Sequence, residues 1–80
     1  ISTFPNPVTS EVRIMIPADW QEKAVTYEIY NSTGILVQRV QNQKAAQVQQ
    51  INVQNLNGGN YIVKVSNGSA TSTSKIIKLN

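Results

Sequence analysis

The chain has no cysteine and no histidine, and it carries only four acidic residues, one tryptophan and one phenylalanine. Each absence excludes something. Without cysteine there is no disulfide staple and no thiol nucleophile, so stability rests on apolar packing. Without histidine the commonest general base and the commonest metal ligand are missing. No apolar run approaches the ~20 residues of a membrane-spanning helix, so no transmembrane segment is expected. The sequence opens Ile1-Ser2-Thr3, with no initiator methionine and no signal-peptide pattern within it. The expectation is a fragment of a larger secreted protein, with residues 1–80 forming one domain without linker or internal repeat.

Apolar residues make up 40% of the 80 positions and charged residues 14%, with many Asn, Gln, Ser and Thr between them. That balance reads as a folded β domain rather than a disordered tail. A domain of this size buries only roughly 60–65% of its unfolded surface, and a substrate pocket would hollow out a thin core. Hydroxyls are abundant, but none has a histidine base. Ser74 and Lys75 are neighbours in an extended run and so point to opposite faces. Glu11 and Glu28 form the one carboxylate pair worth weighing for glycoside chemistry, and no sugar cleft surrounds them. Asp19 and Glu22 are too few for a calcium site. The reading is non-enzymatic, with no catalytic residue, metal or cofactor.

Charge is unevenly placed. The four acids, Glu11, Asp19, Glu22 and Glu28, lie in the first 30 residues with Arg13 and Lys23, giving −2 there. Residues 31–80 hold Arg39, Lys44, Lys64, Lys75 and Lys78 and no acid, giving +5. A basic late half suits an acidic partner, while scattered lysines also keep strand edges from pairing. The bases do not cluster and no reading motif accompanies them, so nucleic acid is not an expected partner.

Periodicity argues for strands almost throughout. Val12, Ile14 and Ile16 alternate with Arg13 and Met15 until Pro17-Ala18-Asp19 breaks the run. Val25, Tyr27 and Ile29 alternate with Thr26, Glu28 and Tyr30. Asn31-Ser32-Thr33-Gly34 then turns the chain into Ile35–Val40, with Gly34 free to take positive φ. Three consecutive apolar residues, Ile35, Leu36 and Val37, leave the phase of that strand open and suggest a bulge. Residues 41–50 are polar and Gln-rich; a short helix is one reading, and a strand followed by a loop is more consistent with the neighbours. Ile51 and Val53 restore alternation, and Tyr61, Val63 and Val65 carry it on. Asn67-Gly68 signals a type I′ hairpin turn, followed by a last strand over Thr71–Leu79. The fold class is all-β: a small antiparallel immunoglobulin-like β-sandwich of about seven strands.

Trp20 falls in a turn and is read as a lid over one end of the core. Tyr27 and Tyr61 lie on apolar phases. Trp20 and Tyr30 are the two aromatics left for a sugar platform, so a carbohydrate-binding or spacer module of a secreted protein remains an alternative reading.

Three motifs punctuate these strands. Phe4-Pro5-Asn6-Pro7 opens the chain, with two prolines that fix φ and withhold N–H donors, holding the segment extended. Leu56-x-x-Gly59-x-Tyr61-x-Val63 sits late, with Gly59 permitting the turn while Leu56 and Tyr61 plug the core. Lys75-Ile76-Ile77-Lys78-Leu79-Asn80 closes it with a basic strand. In this order, and with the central hairpin around Gly34, the chain resembles the Por-type C-terminal sorting domain of proteins exported by the type IX secretion system. The resemblance covers essentially the whole chain; Phe4 stands where Tyr is commoner, and Ile35 where Lys is frequent.

The resemblance implies a secretion signal. The parent protein would transit the periplasm to the outer-membrane type IX translocon and be cleaved by a sortase-like component. It would then be released, or joined to anionic lipopolysaccharide, at the cell surface or outside the cell. It also implies that Phe4, Pro5, Asn6, Pro7, Gly34, Leu56, Gly59, Tyr61, Lys75, Ile77 and Lys78 carry the sorting information, with Lys75 and Lys78 in electrostatic contact.

Overall fold

The alternating segments form seven antiparallel strands in the computed structural model, which describes residues 1–5 and 7–79. They are β1 (Ser2–Phe4), β2 (Glu11–Met15), β3 (Val25–Asn31), β4 (Leu36–Asn42), β5 (Val48–Asn52), β6 (Gly59–Ser66) and β7 (Thr71–Lys78). One sheet has the order β1-β2-β5 and the other the order β4-β3-β6-β7. The two layers form a sandwich, and the fold is all-β. Asn6 and Asn80 lie outside the described residues.

Strand side chains alternate between faces, so each strand gives one row to the core. Val12 and Ile14 enter from β2, Val25, Tyr27 and Ile29 from β3, and Tyr61, Val63 and Val65 from β6. Ile51 and Ile76 enter from β5 and β7, and Val8, Ile16, Ala45 and Val53 fill in from the connections. Trp20 lies on a 3₁₀ turn over Ala18–Trp20 and is only 8% exposed, so it belongs to the core. The lid expected of it is therefore closed. It is absent from any surface platform, leaving Tyr30 as the remaining member of the pair weighed for sugar binding.

The hairpin from β3 to β4 answers the phase left open by Ile35-Leu36-Val37. Ile29 pairs with Gln38 and Tyr30 with Leu36, so Val37 is the extra residue of a bulge. Asn31 shapes the turn: its Oδ1 accepts from the Thr33 N–H at 3.0 Å, the Thr33 hydroxyl at 2.7 Å and the Ile35 N–H at 3.0 Å. Gly34 closes it with φ of 86°.

The Asn67-Gly68 turn differs from expectation. A two-residue type I′ turn needs positive φ at both centres, and Gly68 has it (93°) while Asn67 does not. Four residues span the gap instead, between the paired Ser66 and Thr71. Asn67 Oδ1 accepts from the N–H groups of Ser69 (2.9 Å) and Ala70 (2.7 Å), and the Asn67 N–H donates to the Ala70 carbonyl at 3.1 Å. The Asn side chain satisfies the longer loop, which removes the demand for a second left-handed residue.

Both narrow sides of the sandwich are clasped by polar side chains. On one, Thr3 and Ser74 join their hydroxyls at 3.0 Å between β1 and β7. On the other, Gln38 Nε2 donates to the Asn52 carbonyl at 3.4 Å and Asn42 Nδ2 donates to Gln49 Oε1, joining β4 to β5. The Gln- and Asn-rich stretch thus ties together two edges that would otherwise invite pairing with other chains.

Candidate functional site: the last strand and the sheet face beside it

β7 is an edge strand of the four-stranded sheet, paired with β6 over all eight of its residues. Its even positions turn inward, with Ile76 and Lys78 buried; its odd positions, Thr71, Thr73, Lys75 and Ile77, turn out. The opening segment meets this edge. Val8 forms a parallel bridge to Lys78: its N–H donates to the Ile77 carbonyl and its carbonyl accepts from the Leu79 N–H, both at 2.8 Å. Because residue 77 bonds to Val8 on the side away from β6, the same parity turns the backbone groups of Thr71 and Thr73 outward.

The Phe4-Pro5-Asn6-Pro7 motif therefore does not run as a straight lead-in ahead of the domain. Phe4 ends β1 in one sheet, half-buried and opposite Arg13, and by Val8 the chain has crossed to the other sheet's edge. Pro5 and Pro7 are exposed, and Asn6 lies outside the described residues. The prolines sit where the chain must leave one ladder before joining another, a place where missing N–H donors cost nothing.

The central and late motifs fall where packing needs them. Gly59 opens β6 with φ of 151°, opposite Lys78. Leu56 packs against the core, and its N–H donates to the Val53 carbonyl at 3.0 Å. Tyr61 is buried, and its hydroxyl reaches the Asn57 carbonyl at 2.5 Å.

The two lysines separate. Lys75 is exposed on the outer face, whereas Lys78 is 5% exposed with Nζ donating to the Leu79 carbonyl at 2.7 Å. Lys78 points inward because Ile76, two residues earlier, fixes the inward phase. Of the two, Lys75 is the one that stands on the exposed face.

Two cross-strand rows organise the outer face of this sheet. Leu36, Tyr30, Ile62 and Lys75 form one, and Arg39, Glu28, Lys64 and Thr73 form the next. Arg39 Nε approaches Glu28 Oε2 at 3.8 Å. Desolvation on the face, followed by the hydrogen bond to Glu28 and its charge, pushes the Tyr30 phenol above its ordinary value, and Arg39 pulls the other way. Beside Tyr30, between the Asn31–Gly34 turn and β6, lies an open recess of about 480 Å³ with Ile62 and Lys75 on its wall. The other carboxylate weighed for catalysis, Glu11, stands on the three-stranded sheet beside Arg13 at 3.3 Å, away from Glu28. Among the described residues, no three acidic side chains gather as a metal site, and no helix is long and apolar enough to cross a membrane.

The candidate site is thus the β7 edge, bonded to the segment around Val8, with an open recess on the neighbouring face. The chain belongs to the family described as the secretion system C-terminal sorting domain, whose model matches residues 2–79. No match is found among curated proteins. The family is that of type IX secretion sorting signals, which direct proteins to the cell surface or extracellular space through interaction with the secretion machinery and are non-catalytic in general.

Proposed function

We propose that this domain is a non-catalytic address carried as a single unit over residues 1–80 at the end of a larger secreted protein. The parent crosses the inner membrane on a separate signal, folds in the periplasm and presents the domain to the outer-membrane type IX translocon. A sortase-like peptidase then removes the domain, and the cargo is released or joined to anionic lipopolysaccharide. The domain acts as ligand and substrate.

The observation that supports this reading most is the bonding of Val8, just after the opening motif, to Ile77 and Leu79 of the closing one at a single sheet edge. Recognition by strand addition suits that edge: main-chain hydrogen bonds supply affinity and alternate side chains supply specificity. An added strand would pair along Thr71 and Thr73, or would displace Val8, with Lys75 and Ile77 offered on the outer face.

The test is a folded fluorescent reporter with an inner-membrane export signal, fused to residues 1–80 and expressed in a bacterium that has the type IX machinery. Reporter at the surface or in the medium, absent when the machinery is deleted, is the expected result. Reporter held in the periplasm of the intact host overturns the reading.

A further inference from the structure

Glycine follows asparagine twice in this chain, at Asn57-Gly58 and at Asn67-Gly68. Such a pair is open to loss of the side-chain amide, because the glycine has no Cβ to shield its backbone nitrogen from the asparagine Cγ. Ring closure has one further requirement: the asparagine side chain must turn until Cγ meets that nitrogen. The two sites differ in that freedom.

Asn67 is pinned. Its Oδ1 accepts from the N–H groups of Ser69 at 2.9 Å and Ala70 at 2.7 Å, and its own N–H donates to the Ala70 carbonyl at 3.1 Å. These bonds polarise the amide, yet they aim it at residues 69 and 70. Closure on Gly68 would have to open the clasp that holds the four-residue loop.

Asn57 stands exposed in the connection from β5 to β6, and among the described residues no hydrogen bond engages its side chain. The glycines do not make the difference: the Gly68 N–H reaches Ser66 Oγ at 3.4 Å, and Gly58 is engaged as well. The main chain adds to the contrast. The Tyr61 hydroxyl donates to the Asn57 carbonyl at 2.5 Å. That bond draws charge from the peptide group to which the Gly58 nitrogen belongs, making its N–H more acidic, and the deprotonated nitrogen is the form that attacks.

We propose that Asn57-Gly58 is a site of spontaneous deamidation by water, and that the folded loop protects Asn67-Gly68. The Gly58 nitrogen gives up its proton and bonds to Asn57 Cγ; the bond from Cγ to the side-chain nitrogen breaks, and ammonia leaves with that proton. Water then opens the succinimide at either carbonyl, giving aspartate or isoaspartate. Each product puts a carboxylate into residues 31–80, which hold no acid, and takes the net charge from +3 down by one. The isoaspartyl product also lengthens the main chain by one methylene between Leu56 and Tyr61, both packed on the core, and makes the acceptor of the Tyr61 hydroxyl a carboxylate.

The test incubates the folded 80-residue domain in mildly alkaline buffer and follows both sites over time by peptide mass spectrometry. Asn57 should convert at least about tenfold faster than Asn67, where two side-chain hydrogen bonds must open first. In urea that unfolds the domain, the gap should close. Equal rates in the folded domain, a faster Asn67, a gap that persists in urea, or loss at Asn57 confined to the unfolded domain would overturn the proposal. The isoaspartyl form, separated by ion exchange, should shift the amide signals of residues 56–61 and leave those of residues 67–70 in place. An unmoved Tyr61 signal would overturn the stated consequence for the late motif.

Discussion

Val8 and Lys78 stand side by side in a parallel bridge, 70 positions apart in the chain, and the side chains of both are buried. Through it the residue that follows the opening motif is held to the closing one by two backbone hydrogen bonds. Val8→Ala should cost about 2 kcal/mol through lost burial and a residual cavity, lowering the melting temperature by about 10 °C. Val8→Pro deletes the donor to Ile77 as well, and hydrogen exchange at the Leu79 amide should quicken. An unchanged Leu79 rate in Val8→Pro would show that the bridge does not persist in solution.

Tyr27 is fully buried, and its hydroxyl has no hydrogen-bond partner among the described residues. Tyr27→Phe should therefore raise stability by about 1 kcal/mol, read as a higher denaturant midpoint at unchanged slope. Desolvation also lifts the Tyr27 phenol above its ordinary 10.0. A folded-state pKa above the unfolded value means that the native state holds the proton more tightly. Stability from this group is then fully present below pH 10 and falls as pH rises from there toward the folded value. Tyr27→Phe should blunt that alkaline loss.

Gly59 takes φ of 151°, and a Cβ built there meets nothing within 4 Å, so the cost of a side chain is conformational rather than steric. Gly59→Ala should destabilise by about 1–3 kcal/mol, measurable by chemical denaturation, without disturbing contacts elsewhere.

The two lysines of the last strand should behave oppositely. Lys78→Ala removes a buried stem and a hydrogen bond to Leu79 and should cost about 1–2 kcal/mol. Lys75→Ala, on the exposed face, should stay within about 0.5 kcal/mol in stability. Paired melting curves decide this, and equal losses would contradict the inward placement of Lys78.

Ile77→Pro should abolish export of the reporter while leaving the domain folded. The residue 77 N–H faces away from β6, so proline there spares the β6–β7 ladder and blocks strand addition at the edge. Circular dichroism checks the fold, and undiminished export of the folded variant would rule out recognition through that edge.

The strands themselves were legible because one face of each is buried, which makes a period of two visible at Val12 and Ile14, at Val25 to Ile29 and at Tyr61 to Val65. The bulge at Val37 was legible as an ambiguity of phase. The placement of Lys78 was not, since Ile76 and Ile77 are adjacent and either could have been the inward one. The bridge of Val8 to Lys78 leaves no local trace: a single nonlocal pairing has no period. Trp20 sits among turn residues, and burial of a turn aromatic depends on what Ala45 and its neighbours close over. Asn67-Gly68 misled because the Asn side chain can serve a four-residue loop as well as a tight one. The row from Leu36 to Lys75 was hidden for another reason, since its members come from four strands and meet only once register is set.

The eight-residue ladder of β7 on β6, with Ile76 in the core and Val8 bonded beyond it, makes completion of the sandwich depend on the last residues of the match to be synthesised. Loss of β7 leaves β6 as an unfinished edge and Val8 without its backbone partners. Core and outer face are thus closed by the same strand, so damage to β7 removes both at once rather than blunting one of them.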